Sequence, residues 1–259
     1  MKRNAATAAF LTVLACTCAG CGGGAESAGP AQPVTAAVSG GGATPAAGSP
    51  RSEHRRRRKI RSKAAAASSG AVAGMLAGIK IARESSGAGY RREAFPHWIE
   101  HDGCSTRQDV SIQERRKGVP ADCGVRDGKW FSPYDGDTFT SARALDIDHF
   151  VPLEQAYVSG ARDWDLATRT AYANDLGYRG SLIAVSASSN RSKGALDPAK
   201  WMPPRSRFRC KYTGTWIAVK YRWRLTADRA EYKTLKESLE RCGSAANVSR
   251  PQRASVAIG

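Results

Sequence analysis

Two short polar stretches in this chain carry side chains able to do chemistry. The first is ALDIDHFVPL, residues 144–153, which sets Asp146, Asp148 and His149 in a run that otherwise has the composition of a buried strand. Carboxylates and imidazoles are costly to bury unless something pairs with them. The second is SSNRSKG, residues 188–194, where Asn190 follows the apolar SLIAV and precedes Arg191 and Lys193. Aspartate and asparagine together supply hard oxygen ligands, which suit Mg²⁺ better than a soft metal. A neutral imidazole is available near neutral pH to take a proton from water. Arg191 and Lys193 are cations able to hold a phosphate, and the start of a helix adds free backbone N–H groups for the same anion. Each residue also has a plainer role. His149 can be a core histidine satisfied by one hydrogen bond, Asn190 a helix cap and Lys193 a surface charge.

The elements that carry these residues decide between the two readings. Side chains alternate across a strand. Leu145, Ile147, Val151 and Leu153 fall on one face with His149, while Asp146 and Asp148 share the other. An unbroken strand therefore turns His149 toward the core, and a functional cluster needs the strand to end or bulge near Asp148. SLIAV (181–185) reads as a second short strand and SASSNRSKGA as a helix or turn, giving the order strand with Asp-His, strand, helix with Asn. That is the order of a ββα-metal nuclease site.

Around this centre, TRQDVSIQERR (106–116) reads as a helix and VRDGKWF (125–131) as a hairpin turning at Asp-Gly. LEQAYVSGA and DLATRTAYANDL read as helices, and TWIAVKYRWRL (215–225) fits helix and strand alike. DRAEYKTLKESLERC is a helix that Asp228 can cap with Glu231 three residues on, burying Leu235 and Leu239. Few strands among several helices predict an α+β fold.

The flanks speak to location. Met1-Lys2-Arg3 followed by AATAAFLTVLACTCAG has the form of an export signal and is too short to span a bilayer. CAGC ending at Cys21 resembles a lipobox, so residues 1–21 read as an export signal that either lipidates Cys21 or is simply removed. Residues 22–71 are Gly-, Ala- and Pro-rich with a basic run, RRRRKIRSK at 55–63, and read as a disordered linker; the folded domain is expected over 72–259. The net charge of +17 is carried by both parts, with thirty Lys/Arg against twenty-one Asp/Glu in 72–259. A field of that sign favours polyanions such as nucleic acid, anionic lipid or acidic wall polymer. The four cysteines of the domain, Cys104, Cys123, Cys210 and Cys242, read as two disulfides in an exported chain. Three pairings are open, and sequence proximity favours Cys104–Cys123 with Cys210–Cys242. Among these four no C-x-x-C pair supports a zinc site.

DIDHFVPL, ANDL, LIAV, NRSKG, DPAKWMPP and CKYTGTWIAVKYRW, with GYRREAFPHW and GCSTRQDV upstream, resemble the bacterial secreted HNH-endonuclease family proteins. Those share their nuclease module with the C-terminal domain of GmrSD-type restriction enzymes. Ser181, ahead of LIAV, and Ala195-Leu196, after NRSKG, depart from the family's usual residues. The resemblance implies a ββα-metal (HNH/His-Me finger) core embedded in additional helices. It implies His149 as general base and Asp148 with Asn190 as ligands of one divalent ion, Mg²⁺ or in its place Mn²⁺. Asp146 would be a third ligand or an orienting residue, with Arg191 and Lys193 gripping substrate phosphates. The expected activity is hydrolysis of phosphodiester bonds in DNA, with RNA left open as a substrate, and with low sequence specificity, because no element resembles a base-reading module. The expected place is secreted, or lipid-anchored on the outer face with its basic segment on anionic headgroups. No protein partner is evident. A non-catalytic surface protein that binds nucleic acid is the alternative.

Overall fold

The computed structural model describes residues 50–117 and 123–259, leaving aside the side chains of 50–52 and 60–69. The expected export signal, Cys21 and most of the expected linker lie outside the described residues. Where the linker was expected to run to residue 71, helix α1 spans Pro50–Ala77. Ala, Arg and Lys are strong helix formers, and Glu53 pairs with Arg57 one turn on at 2.9 Å. The anchoring end of α1 is the stretch where the domain was expected to begin. There Val72, Met75 and Leu76, with Ile79 just beyond, are buried. Among the described residues no helix is long and apolar enough to cross a membrane.

Two structural layers position the site. The first is a set of two-stranded antiparallel pairs: β1 (Glu100–His101) with β2 (Cys104–Ser105), β3 (Asp127–Phe131) with β4 (Thr138–Ser141), and β5 (Leu145–His149) with β6 (Leu182–Ser186). Helix α2 (Thr106–Glu114) covers the last pair. It starts at a capping box in which Ser105 and Gln108 satisfy each other's backbone N–H groups. Leu145, Ile147, Leu182 and Ala184 pack there with Val110 and Trp130. The alternation predicted for ALDIDH holds, since register runs without a bulge from Leu145 opposite Ser186 to His149 opposite Leu182. Between these strands lie α3 (Leu153–Val158) and α4 (Leu166–Ala173), and α5 (Ala187–Lys193) follows β6.

The second layer is helical. Helix α6 (Ser206–Arg222) runs through the main core, and α7 (Arg229–Cys242) packs against it. The segment that fitted helix and strand equally is helical because Tyr212 to Tyr221 is buried without interruption. A helix buried all round leaves no periodic signature. Gly214 is required there, as a Cβ would run into the Ala246 carbonyl oxygen. Asp228 caps α7 by accepting from the Glu231 N–H at 2.8 Å, and Leu235 and Leu239 are buried, as the sequence predicts.

One local expectation is corrected. Asp127-Gly128 is not the hairpin turn but lies within β3, next to an irregularity between Asp127 and Trp130, and the turn falls at 132–137. Gly128 is there because a Cβ would strike the Arg115 side chain and, at 2.6 Å, the Trp130 ring.

Both expected disulfides form, Cys104–Cys123 and Cys210–Cys242, with Cα–Cα distances of 5.4 Å each. Bridges of this kind typically contribute about 2–4 kcal/mol each by restricting the unfolded chain. The second ties the start of α6 to the end of α7, and a buried ion pair ties their far ends. Lys220 Nζ donates to Glu231 Oε2 at 2.6 Å, with both side chains wholly inaccessible. Trp216 Nε1 donates to the other carboxylate oxygen, while Lys220 also reaches Ser159 and the Thr226 carbonyl. Burial raises the Glu231 carboxyl above its ordinary range, although Lys220 pulls the other way.

Removing one partner of such a pair leaves an uncompensated buried charge. Lys220→Met is expected to lose about 3–5 kcal/mol at neutral pH in urea unfolding. A folded-state carboxyl with a raised pKa holds its proton longer than the unfolded chain does. Stability of this variant therefore falls as pH rises above about 4 and part of it returns on acidification. The double variant Lys220→Met/Glu231→Leu should recover most of the loss. A single variant unfolding at the wild-type midpoint would show that the pair carries no such weight.

Candidate active site

The end of β5, the last turn of α5 and the residues Tyr90 and Arg92 border one cavity of about 370 Å³. Asp148, His149, Asn190 and Arg191 all line it, so the two polar stretches of the sequence do meet. They meet without a bulge. Asp148 and His149 keep opposite faces of β5, and the cavity wraps the point where the strand stops before Pro152.

His149 is buried, and its ring is held on two sides. Nε2 lies 2.9 Å from the carbonyl oxygen of Ala173, the last residue of α4. A carbonyl can only accept, so in the neutral ring Nε2 carries the hydrogen and Nδ1 the lone pair. The indole of Trp98 stacks on the imidazole at 5.1 Å between centroids and 29° between planes. Burial drives the pKa down to about 3, with Arg92, His97 and Lys193 adding to the effect against the Ala173 hydrogen bond. The ring is neutral at physiological pH. The plain expectation of one satisfying hydrogen bond is thus met on the Nε2 side.

Asp148 is buried as well, and both of its polar contacts fall on one oxygen. Oδ2 accepts from the Tyr134 hydroxyl at 2.6 Å and from Lys193 Nζ at 2.5 Å. Oδ1 is engaged by neither. Lys193 corrects an expectation: its side chain is fully inaccessible, spent on Asp148 and the His149 carbonyl, and cannot grip a substrate phosphate. The ammonium sits 5.8–5.9 Å from the rings of Tyr134, Phe150 and Trp216, which replace part of its lost hydration. Burial raises the pKa of Asp148 and lowers that of Lys193, so each member is held in its charged form mainly by the other.

Asn190 donates from Nδ2 to Asp146 Oδ2 at 3.1 Å, which leaves its amide oxygen for another partner. Asp146 also receives Arg191 at 3.8 Å. It sets the orientation of Asn190 and does not line the cavity itself. Asn190, Arg191 and Lys193 occupy the last turn of α5, and the start of that helix is taken. Ser186 caps it, and Asp135 accepts from the hydroxyls of Ser186 and Ser189. The anion site expected at the helix start is therefore filled by the protein's own carboxylate.

Within the cavity the oxygens left for a metal are Asp148 Oδ1 and Asn190 Oδ1; Asp146 Oδ1, beside it, is engaged by neither Asn190 nor Arg191. Among the described residues no three His, Cys, Asp or Glu side chains gather as a metal-holding group. One carboxylate and one amide fit a hard divalent ion only if water and substrate oxygens complete its shell.

Several residues here had no role in the sequence. Arg92 lines the cavity opposite α5 and is exposed; its Nε donates to His97 Nε2 at 3.2 Å, so its terminal amino groups remain for an anion. The turn ANDL (173–176), recognisable only as a matching block, is fully employed. Ala173 holds His149. Asn174 accepts from the Ile99 N–H and the Thr106 hydroxyl and donates to the carbonyls of Pro96 and Thr170. Asp175 accepts from Arg222, from Trp223 and from Ser181, the departure ahead of LIAV. Trp216 is core, and Trp201 packs on Tyr134.

Residues 121–238 match the model of the family described as GmrSD restriction endonucleases, C-terminal domain. A protein from Arthroderma benhamiae, named "Uncharacterized secreted protein", is 41% identical over 173 residues, which cover 65% of this chain and 83% of that one. The likeness thus reaches a fungus and is not confined to bacteria. No solved structure matches. With its fungal relative and the site geometry above, this chain belongs to the family that carries the GmrSD-type C-terminal, HNH nuclease-like domain.

Proposed function

We propose that the protein is an exported, metal-dependent endonuclease that hydrolyses phosphodiester bonds of DNA with low sequence specificity, RNA being left open as a substrate. The observation that carries this reading is the convergence of His149, Asp148 and Asn190 on one cavity with two exposed arginines, Arg92 and Arg191, at its border. Neutral His149, its hydrogen on Nε2, offers Nδ1 to a water poised against a phosphate. Proton removal by Nδ1 lets the water oxygen attack phosphorus while the 3′ oxygen departs. Asp148 and Asn190 would hold the divalent ion, Mg²⁺ or Mn²⁺, whose charge neutralises the scissile phosphate and the departing oxygen. Arg92 and Arg191 hold non-bridging phosphate oxygens.

Export is read from the N-terminal sequence and is in keeping with the name of the fungal relative. Cys21 leaves a lipid-anchored form open to the same chain. One observation favours a second reading, a surface protein that binds nucleic acid without cutting it. The Lys193 ammonium already neutralises Asp148, which weakens that carboxylate as a metal ligand.

His149→Ala is expected to lower nicking of supercoiled plasmid about 10²–10⁴-fold, the usual contribution of a positioned base. Nucleic-acid binding in a gel shift should persist and circular dichroism should show the fold intact. EDTA should abolish wild-type cleavage. A histidine variant that cuts like the wild type, or cleavage indifferent to EDTA, would overturn the assignment. A wild type that binds but never cuts in Mg²⁺ or Mn²⁺ would establish the second reading.

Asn190 tests the metal separately. Asn190→Asp adds a negative charge, so calorimetry should show tighter metal binding in the free protein. Cleavage should slow, because the added charge repels the phosphate and binds the ion too firmly in the ground state. Asn190→Ala should lose both. Unchanged metal binding and cutting in Asn190→Ala would reduce Asn190 to a structural partner of Asp146.

A further inference from the structure

We propose that Trp98 is a positioning residue, whose indole face fixes the plane of the His149 imidazole so that Nδ1 stays directed at the cavity. The inference rests on the nuclease reading, in which His149 is the base. An imidazole can rotate about its bond to Cβ, and a single hydrogen bond from Nε2 constrains that rotation only loosely. The second constraint is the stacked indole, whose plane lies 29° from that of the ring. His97 closes the same side at 6.3 Å, edge-on.

Trp98 does not hold this place by default. Its backbone φ is +61°, a left-handed conformation that bulky residues rarely adopt. Conformations of this kind are strained and persist where the surroundings over-determine them. Here the surroundings are Asn174, which uses both acceptor and both donor positions of its amide. Two of its bonds, to the Pro96 carbonyl at 2.8 Å and from the Ile99 N–H at 3.1 Å, grip the backbone on either side of His97-Trp98. The other two tie this grip to Thr106 and Thr170. The neighbouring residue, Ala173, supplies the carbonyl for Nε2. One turn of chain therefore sets both constraints on the ring, the edge through Ala173 and the face through Asn174 and Trp98.

The test uses the purified protein with Trp98→Leu, Trp98→Phe and wild type, each checked for folding by circular dichroism. A displacement of about 1 Å at a catalytic group can cost on the order of 10²-fold in rate. Trp98→Leu should lower kcat to about that extent with KM little changed, and Trp98→Phe, which keeps a flat face, should restore most of it. Nitrogen-15 NMR of the histidine rings gives a readout that does not need activity. The Nε2–H resonance of His149 should be sharp and protected in wild type and Trp98→Phe, and broadened or fast-exchanging in Trp98→Leu. Wild-type kcat in Trp98→Leu, or an unchanged Nε2–H resonance there, overturns the proposal. A rise in KM at constant kcat also overturns it, because Trp98 would then be a surface for substrate. A wild type that cuts no nucleic acid removes the nuclease reading instead, and the resonance comparison still decides whether Trp98 fixes the ring.

Discussion

The ion pair between Asp148 and Lys193 is the constraint around which the site is built. Both side chains are almost fully removed from water, and burial alone would discharge each of them. The pair survives because its other polar contacts support the charges: Tyr134 donates to the same carboxylate oxygen, and the His149 carbonyl accepts from the ammonium. Its consequence is geometric. The last residue of α5 is bolted to the end of β5, so Asn190 and Arg191, within the same turn, are placed over the strand end that carries His149. Removing either charge would leave the other stranded, which costs more than the pair itself contributes.

A second knot, the turn ANDL, holds His149 from behind through the Ala173 carbonyl. Asp175 gathers Arg222, Trp223 and Ser181, joining the end of α6 to the entry of β6. Asn174 holds the segment that ends in Trp98, and Ala173 holds the histidine. His149 is thus carried between two elements that are each cross-linked by buried polar bonds rather than by apolar packing alone. Such networks are worth having only when complete, since a half-satisfied one costs more than an apolar substitute. Asn174, with all four of its hydrogen-bonding positions used, is complete in that sense.

How far the sequence could be read follows from the reach of each signal. Alternation over five residues of β5 gave the faces of Asp146, Asp148 and His149 correctly, because strand periodicity is local. Cap chemistry placed the start of α7 at Asp228, and chain proximity found both disulfides. The helical state of 215–222 was not legible, since Thr215 to Tyr221 is buried on every side and carries no period. Lys193 was misread as a surface cation because nothing local reveals that three aromatic rings, contributed from residues 134, 150 and 216, enclose it. Arg92 and Trp98 escaped for a related reason. They sit over fifty residues before His149, in a segment with no chemistry of its own, and acquire a role only through contacts made by the fold.

The burial of the site bears on what the protein is for. An imidazole whose pKa lies near 3 is neutral at physiological pH, but it is also a weak base in the free protein. The charges beside it, Arg92 and Lys193, contribute to that weakness. Binding a phosphodiester would bring negative charge to the same cavity and offset them, so the base would strengthen only when substrate is in place. On the proposed reading Asp148 would follow the same logic, its partly neutralised carboxylate gaining from phosphate oxygens that complete the shell of a bound ion. Such a centre would favour the complex of ion, phosphate and water over any one of them alone, the differential binding that catalysis requires. The basic field of the domain then serves to draw a polyanion to a centre that is incomplete without it.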